Sequence, residues 1–292
     1  MMKAPCIILQ PWVKTLQAIV MEINSRPLDR QERICIWGSR CLFAGYLPDL
    51  TLRRRAAATV CIGLDGEFQV SLNDTDWIGF RSALIPPMVD HSIRFSGKFC
   101  VLLFMDLSSP NYESLSASNL ESETNGIFIS LREEEQLLDK IGQIVSADPD
   151  SEESLIELLN QIPPILENDS RIIDPRIQKI VELITTMPHE DHSAKDLAVF
   201  AGMSVSNLEH QFKKEIGIPF HSFRTWFRLK LTVYSLLHGM NHTDSAHRAG
   251  FFDSAHFTRT FRATFGLPPS EIFRSTRHLK SFIEVPASYA EA

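Results

Sequence analysis

The chain has 292 residues, 44% of them hydrophobic, which is enough to bury two ordinary domain cores. Its net charge is −7, and no apolar run approaches the roughly 20 residues that span a bilayer, so the composition excludes a membrane-spanning protein. The start of the chain lacks the charged, apolar and cleavage-site pattern of a signal peptide, and we expect a soluble, cytoplasmic protein with no membrane partner.

All five cysteines lie in the first third of the chain. Their odd count and unpaired spacing argue against a disulfide framework. We interpret them as small apolar core residues, with a redox-sensing thiol as the alternative. They are Cys6, Cys35, Cys41, Cys61 and Cys100.

Residues 1–130 contain short apolar stretches separated by closely spaced turns. The turn signals are Asp65-Gly66, Asn73-Asp74 and Ser96-Gly97. Short strands with frequent turns are typical of a small antiparallel barrel or jelly roll, so we predict a β-domain here. The predicted strands lie within Arg33 to Tyr46, Ala56 to Leu64, Phe68 to Leu72, Ile78 to Ile85 and Phe99 to Met105.

One stretch of this domain, Leu84-Ile85-Pro86-Pro87-Met88-Val89-Asp90-His91, resembles the second half of a cupin motif. A metal-binding cupin needs further imidazoles, usually a His-x-His pair on an earlier strand, where this chain has Leu52-Arg53-Arg54-Arg55. We therefore predict no metal, no cofactor and no catalytic residue. We interpret His91 as a structural or surface residue. The three arginines are interpreted as a solvated charge run, with a site facing a small anionic effector as the alternative.

Residues 131–173 are acidic and helix-prone. Ala147-Asp148-Pro149-Asp150-Ser151 predicts a turn between two helices, the second of which opens at Ser151 or Glu152. Pro163-Pro164 and Asn168-Asp169-Ser170 predict a linker into the next domain. The apolar residues at helical intervals are Leu137, Leu138, Ile141 and Ile144, then Leu155, Leu158 and Leu159.

A motif occurs twice after this linker, in segments offset by about 49 positions. The first copy reads Ala201-Gly202-Met203, then Leu208, Phe212-Lys213, Gly217 and Pro219. The second reads Ala249-Gly250-Phe251, then Phe257, Phe261-Arg262, Gly266 and Pro268. The repetition predicts one small helical unit that is used twice.

Each copy has the pattern of a helix-turn-helix, in which a tight turn, often with Gly, joins two short helices. In the first copy Gly202 is the turn and Ser204 can cap the second helix through its hydroxyl. Leu208 and Phe212, four residues apart, anchor that helix inward. The corresponding residues of the second copy are Gly250, Asp253, Phe257 and Phe261.

The outward faces of the two second helices are the candidate DNA-binding residues, although any solvated helix presents polar groups. Arg259 is the strongest candidate because a guanidinium can bond O6 and N7 of guanine together. Thr258 and Ala255 could meet a thymine methyl, whereas Lys213 and Arg262 are expected to contact phosphates. The full set is Ser206, Asn207, Glu209, His210 and Lys213 in the first copy and Ser254, Ala255, Thr258, Arg259 and Arg262 in the second.

The segment from about Asp174 to Arg274 resembles the DNA-binding domain of the AraC/XylS transcription regulators. The second copy is the sharper match, with an unbroken run from Ala249 to Arg262, then Phe265-Gly266-Leu267-Pro268-Pro269 and Phe273-Arg274. The resemblance implies seven helices in two subdomains joined by a long helix. It also implies that both recognition helices enter successive major grooves of DNA.

Residues 220–240 fit the joining helix of that family. An apolar stripe of Phe223, Phe227, Tyr234 and Leu237 is interpreted as core. The cations of the same segment are expected on DNA phosphates. They are Arg224, Arg228 and Lys230.

The chain departs from the family pattern at His210, where a basic residue is common, and at His242 and Ser245, where Ile or Val is common. Nine of the ten histidines follow residue 188. His238, His242 and His247 would allow a zinc hypothesis, but no Cys accompanies them, and we predict no metal site there.

Charge is distributed unevenly along the chain. Residues 174–280 carry a net charge of +4, whereas the remainder carries −11. Such an asymmetry suits a chain with one half that binds a polyanion.

The sequence therefore predicts an α+β protein in four parts. They are a cupin-like sensing or dimerisation domain (1–130), a helical linker (131–173), a double helix-turn-helix DNA-binding domain (174–276) and a C-terminal tail (277–292). The family resemblance implies transcription regulation, frequently activation, with double-stranded promoter DNA as partner. It also implies a small-molecule effector, contact with RNA polymerase and a homodimer. The linker helices would pair the two subunits; the alternative is that they pack on the β-domain of their own chain.

Two other functions stay open at this point. One is a cupin-type small-molecule-binding protein or enzyme whose helical domain does not bind DNA. The other is a regulator homologue that acts through protein contacts. The missing His-x-His pair, and the lack of a nucleophile-and-base motif that we can place, disfavour an enzyme.

Overall fold

The computed structural model describes residues 30–38, 40–52, 55–106, 120–124, 127–131, 134–146, 152–160, 162, 173–273, 280–284 and 289. The chain from Gln31 onward forms one compact unit. Within these described ranges, no helix is both long and apolar enough to cross a membrane.

The N-terminal half, with one strand from the C-terminal region, forms two β-sheets. A larger sheet has the strand order β10-β11-β7-β4-β9-β2-β1-β12, and a smaller sheet has the order β3-β8-β5-β6. Neighbouring strands are antiparallel except for β1 and β12, which are parallel. The strands are β1 (Arg33–Trp37), β2 (Arg40–Tyr46), β3 (Leu50–Leu52), β4 (Ala58–Gly63), β5 (Phe68–Ser71), β6 (Ile78–Phe80), β7 (Ser82–Ile85), β8 (His91–Arg94), β9 (Phe99–Met105), β10 (Leu120–Thr124), β11 (Ile127–Leu131) and β12 (Lys280–Glu284).

Strand β9 lies in the middle of the larger sheet, between β4 and β2. All seven of its residues are buried. A strand covered on both faces has no reason to alternate polar and apolar residues, which explains its continuous apolar run. The ring of Phe104 contacts Trp226 and Phe265, with centroid separations of 5.7 and 5.5 Å, so one face of the sheet packs on the C-terminal helices.

The predicted antiparallel β-domain is confirmed, with differences in the strand boundaries. The stretch from Arg33 to Tyr46 forms two strands because the chain turns at Gly38, whose φ is +49°. The stretch from Ile78 to Ile85 also divides, into β6 and β7. Strands β3, β8, β10, β11 and β12 were not predicted, because each is short or lies where the sequence has no alternating pattern.

Nine helices follow the β-strands within the described residues. They are α1 (Glu134–Ser146), α2 (Glu152–Asn160), α3 (Pro175–Thr186), α4 (Ala194–Phe200), α5 (Val205–Ile216), α6 (Phe220–Leu237), α7 (His242–Arg248), α8 (Ser254–Phe265) and α9 (Pro269–Phe273). The seven helices from α3 to α9 confirm the helix number that the family resemblance implies, with α6 as the long joining helix.

Helices α1 and α2 pack on the β-domain, which was one of the two arrangements left open. Ile141 and Ile144 belong to the same buried cluster as the strands. The backbone amide of Gln31 donates to the Val145 carbonyl at 2.9 Å, and Arg40 Nη1 donates to the Ile162 carbonyl at 3.4 Å. The predicted turn at 147–151 and the predicted linker segments at 163–164 and 168–170 lie outside the described residues.

The segment predicted as a C-terminal tail contributes a strand to the N-terminal sheet. β12 pairs in parallel with β1, with Lys280 opposite Arg33 and Glu284 opposite Trp37. Further along, Tyr289 is buried and its ring lies 6.1 Å from that of Tyr234 in α6. The end of the chain therefore contacts both the sheet and the helical region.

The cysteines of the described residues sit in the core or partly within it, as predicted. Cys35, Cys61 and Cys100 are buried and Cys41 is partly exposed. Burial raises the pKa of Cys35, Cys41 and Cys61 to about 12. Thiols with such pKa values stay protonated at neutral pH and are poor nucleophiles. Cys6 lies outside the described residues.

Candidate DNA-binding surface

The first helix-turn-helix consists of α4 and α5. Ser193 caps α4 and Ser204 caps α5, each through a side chain that accepts a backbone N–H of the first turn. Between them Gly202 has φ +64°, a left-handed conformation that favours glycine. The Met203 amide then donates to the Ala198 carbonyl at 2.8 Å, which closes the turn.

The second helix-turn-helix repeats this geometry in α7 and α8. Asn241 caps α7 and Asp253 caps α8. Gly250 has φ +75°, and the Phe251 amide donates to the Ala246 carbonyl at 2.9 Å. The local hydrogen bonds of the two copies therefore match, which confirms the turn and cap assignments made from the sequence.

The second copy differs by one residue between its turn and its cap. One residue lies between Gly202 and Ser204, and two lie between Gly250 and Asp253. The additional position is occupied by Phe252, whose side chain is 85% exposed. Phe252 precedes the Asp253 cap of α8.

The predicted apolar anchors of both second helices are buried. Leu208 and Phe212 are fully buried in α5, and Phe257 and Phe261 in α8. Phe212 packs edge-on against Phe223 of α6, with ring centroids 5.3 Å apart. In α8, the ring of Phe265 lies 6.0 Å from that of Trp226 on α6. Each second helix therefore packs one face on the joining helix and leaves its other face to solvent.

Nine of the ten candidate DNA-binding residues lie on those solvent faces, and Ser254 is half-buried at the start of α8. The Thr258 hydroxyl donates to the Ser254 carbonyl at 2.8 Å, which satisfies the hydroxyl within the helix. The exposed residues are Ser206, Asn207, Glu209, His210 and Lys213 on α5, and Ala255, Thr258, Arg259 and Arg262 on α8.

The cations of the joining helix are placed differently from the prediction that they contact phosphates. Lys230 is buried, and its Nζ lies 2.7 Å from the Asp106 carboxylate. Arg224 Nη1 donates to the His192 carbonyl at 2.7 Å. Arg228 Nη1 donates to the Gly250 carbonyl at 3.0 Å. The prediction is wrong for Lys230, and the two arginines bond to the protein backbone.

The contact between Lys230 and Asp106 joins the helical region to the end of β9. The Trp226 indole N–H donates to the second oxygen of the same carboxylate. Burial raises the pKa of Asp106, and the Lys230 charge and the two hydrogen bonds oppose that rise. One buried carboxylate thus ties two side chains of α6 to the β-domain. No local sequence pattern indicates this cluster, because Asp106 is 120 positions from Trp226 and 124 from Lys230.

At the second copy, His242 is exposed and Ser245 is buried. The Ser245 hydroxyl has no hydrogen-bond partner among the described residues. Ser245 therefore occupies a core position, as the family pattern of apolar residues implies. Among the described residues, no group of three or more His, Cys, Asp or Glu side chains could hold a metal ion.

An apolar groove lies between the larger sheet and the second helix-turn-helix. Its lining is contributed by both regions and consists of Ile34, Cys41, Phe43, Leu47, Leu50, Leu102, Phe104, Val233, Phe261, Phe265, Leu267, Ile272 and Phe273.

Two polar residues from the stretches compared with a cupin motif are buried. His91 is buried, and its Nδ1 lies 2.8 Å from the Val89 carbonyl, so the structural interpretation of His91 is supported. Arg55 is only 2% exposed, so the interpretation as a solvated charge run is wrong for this residue. Arg53 and Arg54 lie outside the described residues.

Comparison with known proteins places residues 197–275 in a family described as "Helix-turn-helix domain". Over 110 residues, 37% of this chain, the sequence is 28% identical to an uncharacterized HTH-type transcriptional regulator of Staphylococcus aureus (strain COL). The HTH-type transcriptional regulator RipA of Corynebacterium glutamicum is 26% identical over 95 residues, covering 32% of this chain and 29% of RipA. The match spans only 15% of the length of the Staphylococcus aureus relative.

Solved structures of ToxT from Vibrio cholerae have a similar fold over most of both chains. An apo form has a TM-score of 0.54 at 13% identity, covering 84% of this chain and 99% of ToxT. A second crystal form has a TM-score of 0.52 at 14% identity, covering 81% and 98%. The β-domain followed by two helix-turn-helix units is therefore an arrangement that this chain shares with ToxT. Residues 197–275 match the model of an AraC-type helix-turn-helix domain.

Proposed function

We propose that this chain is a sequence-specific DNA-binding transcription regulator. The observation that carries the proposal is the repeated geometry of α5 and α8. Each helix is capped, follows a left-handed glycine turn, buries two apolar anchors and presents a polar face to solvent. A helix held in this way suits insertion into a major groove, and two copies suit two successive grooves.

Arg259 is proposed to read a base, and the end of each recognition helix to contact phosphates. Arg259 is exposed in the middle of α8. Thr258 uses its hydroxyl within the helix, which supports the proposal that its methyl group meets a thymine methyl. Lys213 and Arg262 lie in the last turns of their helices and suit contacts that position the protein without reading sequence.

The remaining candidate residues are proposed to complete the two contact faces. Ser206, Asn207, Glu209 and His210 extend the face of α5, and Ser254 and Ala255 begin that of α8. We propose that His210 makes a weaker contact than an arginine would make, because an imidazole lacks the planar fork of donors that a guanidinium presents.

The test is binding of the full chain to duplex DNA from its own upstream region across a salt series. We expect protection of a site about two helical turns long and affinity that falls steeply with salt. Arg259→Ala should lose about 1–3 kcal/mol of discrimination at one base pair. Lys213→Ala should weaken binding to all sequences alike and reduce the salt slope by about 1.

A matched control is Arg81→Ala in the β-domain, where Arg81 is exposed and lies 3.5 Å from Glu135. This variant should bind as the wild type does. Equal and weak binding to every sequence would contradict sequence-specific regulation. No binding at low salt would favour the alternative of a small-molecule-binding protein with a helical appendage.

Control by a small molecule is the second part of the proposal. A ToxT structure with a TM-score of 0.51 and 13% identity, covering 82% of this chain and all of that chain, is bound to (E)-4-(8-methylnaphthalen-1-yl)but-3-enoic acid. In this chain, the apolar groove touches both the sheet and α8, so an occupant would contact sensing and DNA-binding regions together. Such a ligand regulates only if it binds two arrangements of those regions with different affinity. Dimerisation and contact with RNA polymerase stay predictions.

A further inference from the structure

Arg55 is a buried cation of the β-domain that pairs with no acidic side chain among the described residues. It lies in the connection between β3 and β4, and its side chain is almost fully buried. Its backbone carbonyl accepts a hydrogen bond from the Met88 amide at 2.8 Å, which holds the residue in place. None of its three guanidinium nitrogens has a hydrogen-bond partner among the described residues.

The described groups that interact with Arg55 supply no negative charge. The Cys61 thiol interacts with the guanidinium, but burial raises the pKa of Cys61 to about 12 and the thiol stays neutral. Burial, with help from the Arg55 charge, lowers the pKa of His91 to about 3, so this imidazole is also neutral. The pKa of Arg55 is lowered by burial to about 10, and the guanidinium remains charged at neutral pH.

Two further buried polar atoms in this part of the β-domain have no hydrogen-bond partner among the described residues. Thr59 is buried on β4 opposite Phe104, and its Oγ1 can donate to an anion. His91 must carry its proton on Nδ1, which faces the Val89 carbonyl, so its Nε2 can only accept. The three side chains offer one positive charge, one hydroxyl and one acceptor.

An isolated charge in a protein interior is costly, because burial removes its hydration without a compensating partner. A guanidinium presents its N–H donors as a fork that matches a carboxylate. The Phe104 ring lies 5.4 Å from the Arg55 guanidinium carbon and also lines the apolar groove. A single cation beside an apolar wall favours a monoanion with an apolar body over inorganic phosphate.

We propose that Arg55 anchors the carboxylate of a small, otherwise apolar monocarboxylic acid. In this proposal Arg55 and Thr59 hold the carboxylate. Both lie next to Phe104, and this ring lines the groove that takes the apolar body. The role of this acid as the effector rests on the proposed function, whereas its binding does not.

The test is thermal unfolding of the DNA-free, full-length protein with defined probes. Benzoate and hexanoate are compared with benzyl alcohol and 1-hexanol, which match them without the charge, and with inorganic phosphate. At concentrations about 100-fold above Kd we expect the acids to raise Tm by about 5–10 °C. The alcohols and phosphate should leave Tm within about 1 °C of the ligand-free value.

Arg55→Met should abolish the response to both acids, and Arg55→Lys should weaken acid binding about tenfold because the fork is lost. Arg94→Met is the matched control, since Arg94 is exposed and lies 3.7 Å from the Trp77 ring in the same domain. This control should respond to the acids as the wild type does.

A second measurement separates a binding role from a structural one. Without acid, Arg55→Met should raise Tm because it removes an unpaired buried charge. A lower Tm, together with a wild type that no acid stabilises, would show that Arg55 is structural and overturn the proposal. If phosphate raised Tm as much as benzoate does, the proposal that the ligand is a carboxylic acid would be overturned. Because no DNA is present, either failure leaves the DNA-binding proposal to its own test.

Discussion

At the scale of single residues, the chain separates polar groups that face solvent from polar groups that the fold buries. Phe257 and Phe261 are four residues apart, about one helical turn, and so share the buried face of the helix. Arg259 and Arg262 fall outside this spacing and were therefore predicted to face solvent. Arg55, His91 and Lys230 are polar residues whose burial the sequence could not reveal. Their environments are built by strands and helices that are distant along the chain, so no local pattern predicts them.

The buried His91 predicts a pH dependence of stability. Its folded pKa of about 3 lies below the unfolded value of about 6.5, so between these values only the unfolded state takes up the proton. The free energy of unfolding should therefore fall as pH decreases, by roughly 1.4 kcal/mol per pH unit between pH 6 and pH 4. Urea unfolding across that range measures the slope.

His91→Asn isolates this contribution because an amide can still donate to the Val89 carbonyl but does not titrate. The variant should lose the part of the slope that His91 supplies. His247→Asn, at an exposed histidine of α7, is the control and should keep the wild-type slope. Identical slopes for wild type and His91→Asn would refute the assignment of a buried neutral imidazole.

At the scale of secondary-structure elements, the two helix-turn-helix units were predictable and several strands were not. The helices follow local rules: Ser204 and Asp253 cap them, and Gly217 and Gly266 end them in a left-handed conformation. Strand β12 depends on a partner about 247 positions earlier, and nothing within its own five residues specifies that pairing.

We predict that replacing the two turn glycines lowers the free energy of unfolding by different amounts. A Cβ at Gly202 would meet nothing within 4 Å, whereas a Cβ at Gly250 would lie 3.1 Å from the His189 carbonyl oxygen and from the Arg228 guanidinium. Gly202→Ala should cost about 1–2 kcal/mol, from the left-handed backbone alone. Gly250→Ala should cost more, because the backbone of residue 189 must also move. Urea unfolding of the two variants tests the order, and equal costs would contradict it.

At the scale of the whole molecule, α6 serves both regions. Its Phe223 packs beneath the first recognition helix, and its Trp226 and Lys230 contact Asp106 at the end of β9. A change in the sheet near Asp106 would thus reach the helix that supports the DNA-binding units. The sequence indicated two domains and a joining helix, but it did not indicate that this helix is bonded to the β-domain.

The buried Lys230–Asp106 pair predicts a large effect on stability. Lys230→Met leaves the Asp106 carboxylate buried without its cation, and we expect a loss of about 3–5 kcal/mol. Adding Asp106→Asn removes the stranded charge while keeping an acceptor for Trp226, so the double variant should recover most of that loss. Urea unfolding measures both. A double variant as unstable as Lys230→Met would argue against an electrostatic cause.

The parallel pairing of β12 with β1 has a consequence for the order of folding during synthesis. The β1 edge cannot receive its last neighbour until about 250 further residues, including both helix-turn-helix units, have left the ribosome. Until then this edge carries unpaired backbone groups, which are sites for pairing with other chains. A chain that is cut short after α9 would keep its recognition helices and yet carry a permanently open sheet edge. Premature termination after α9 should therefore favour aggregation strongly, although it removes only a short segment of the chain.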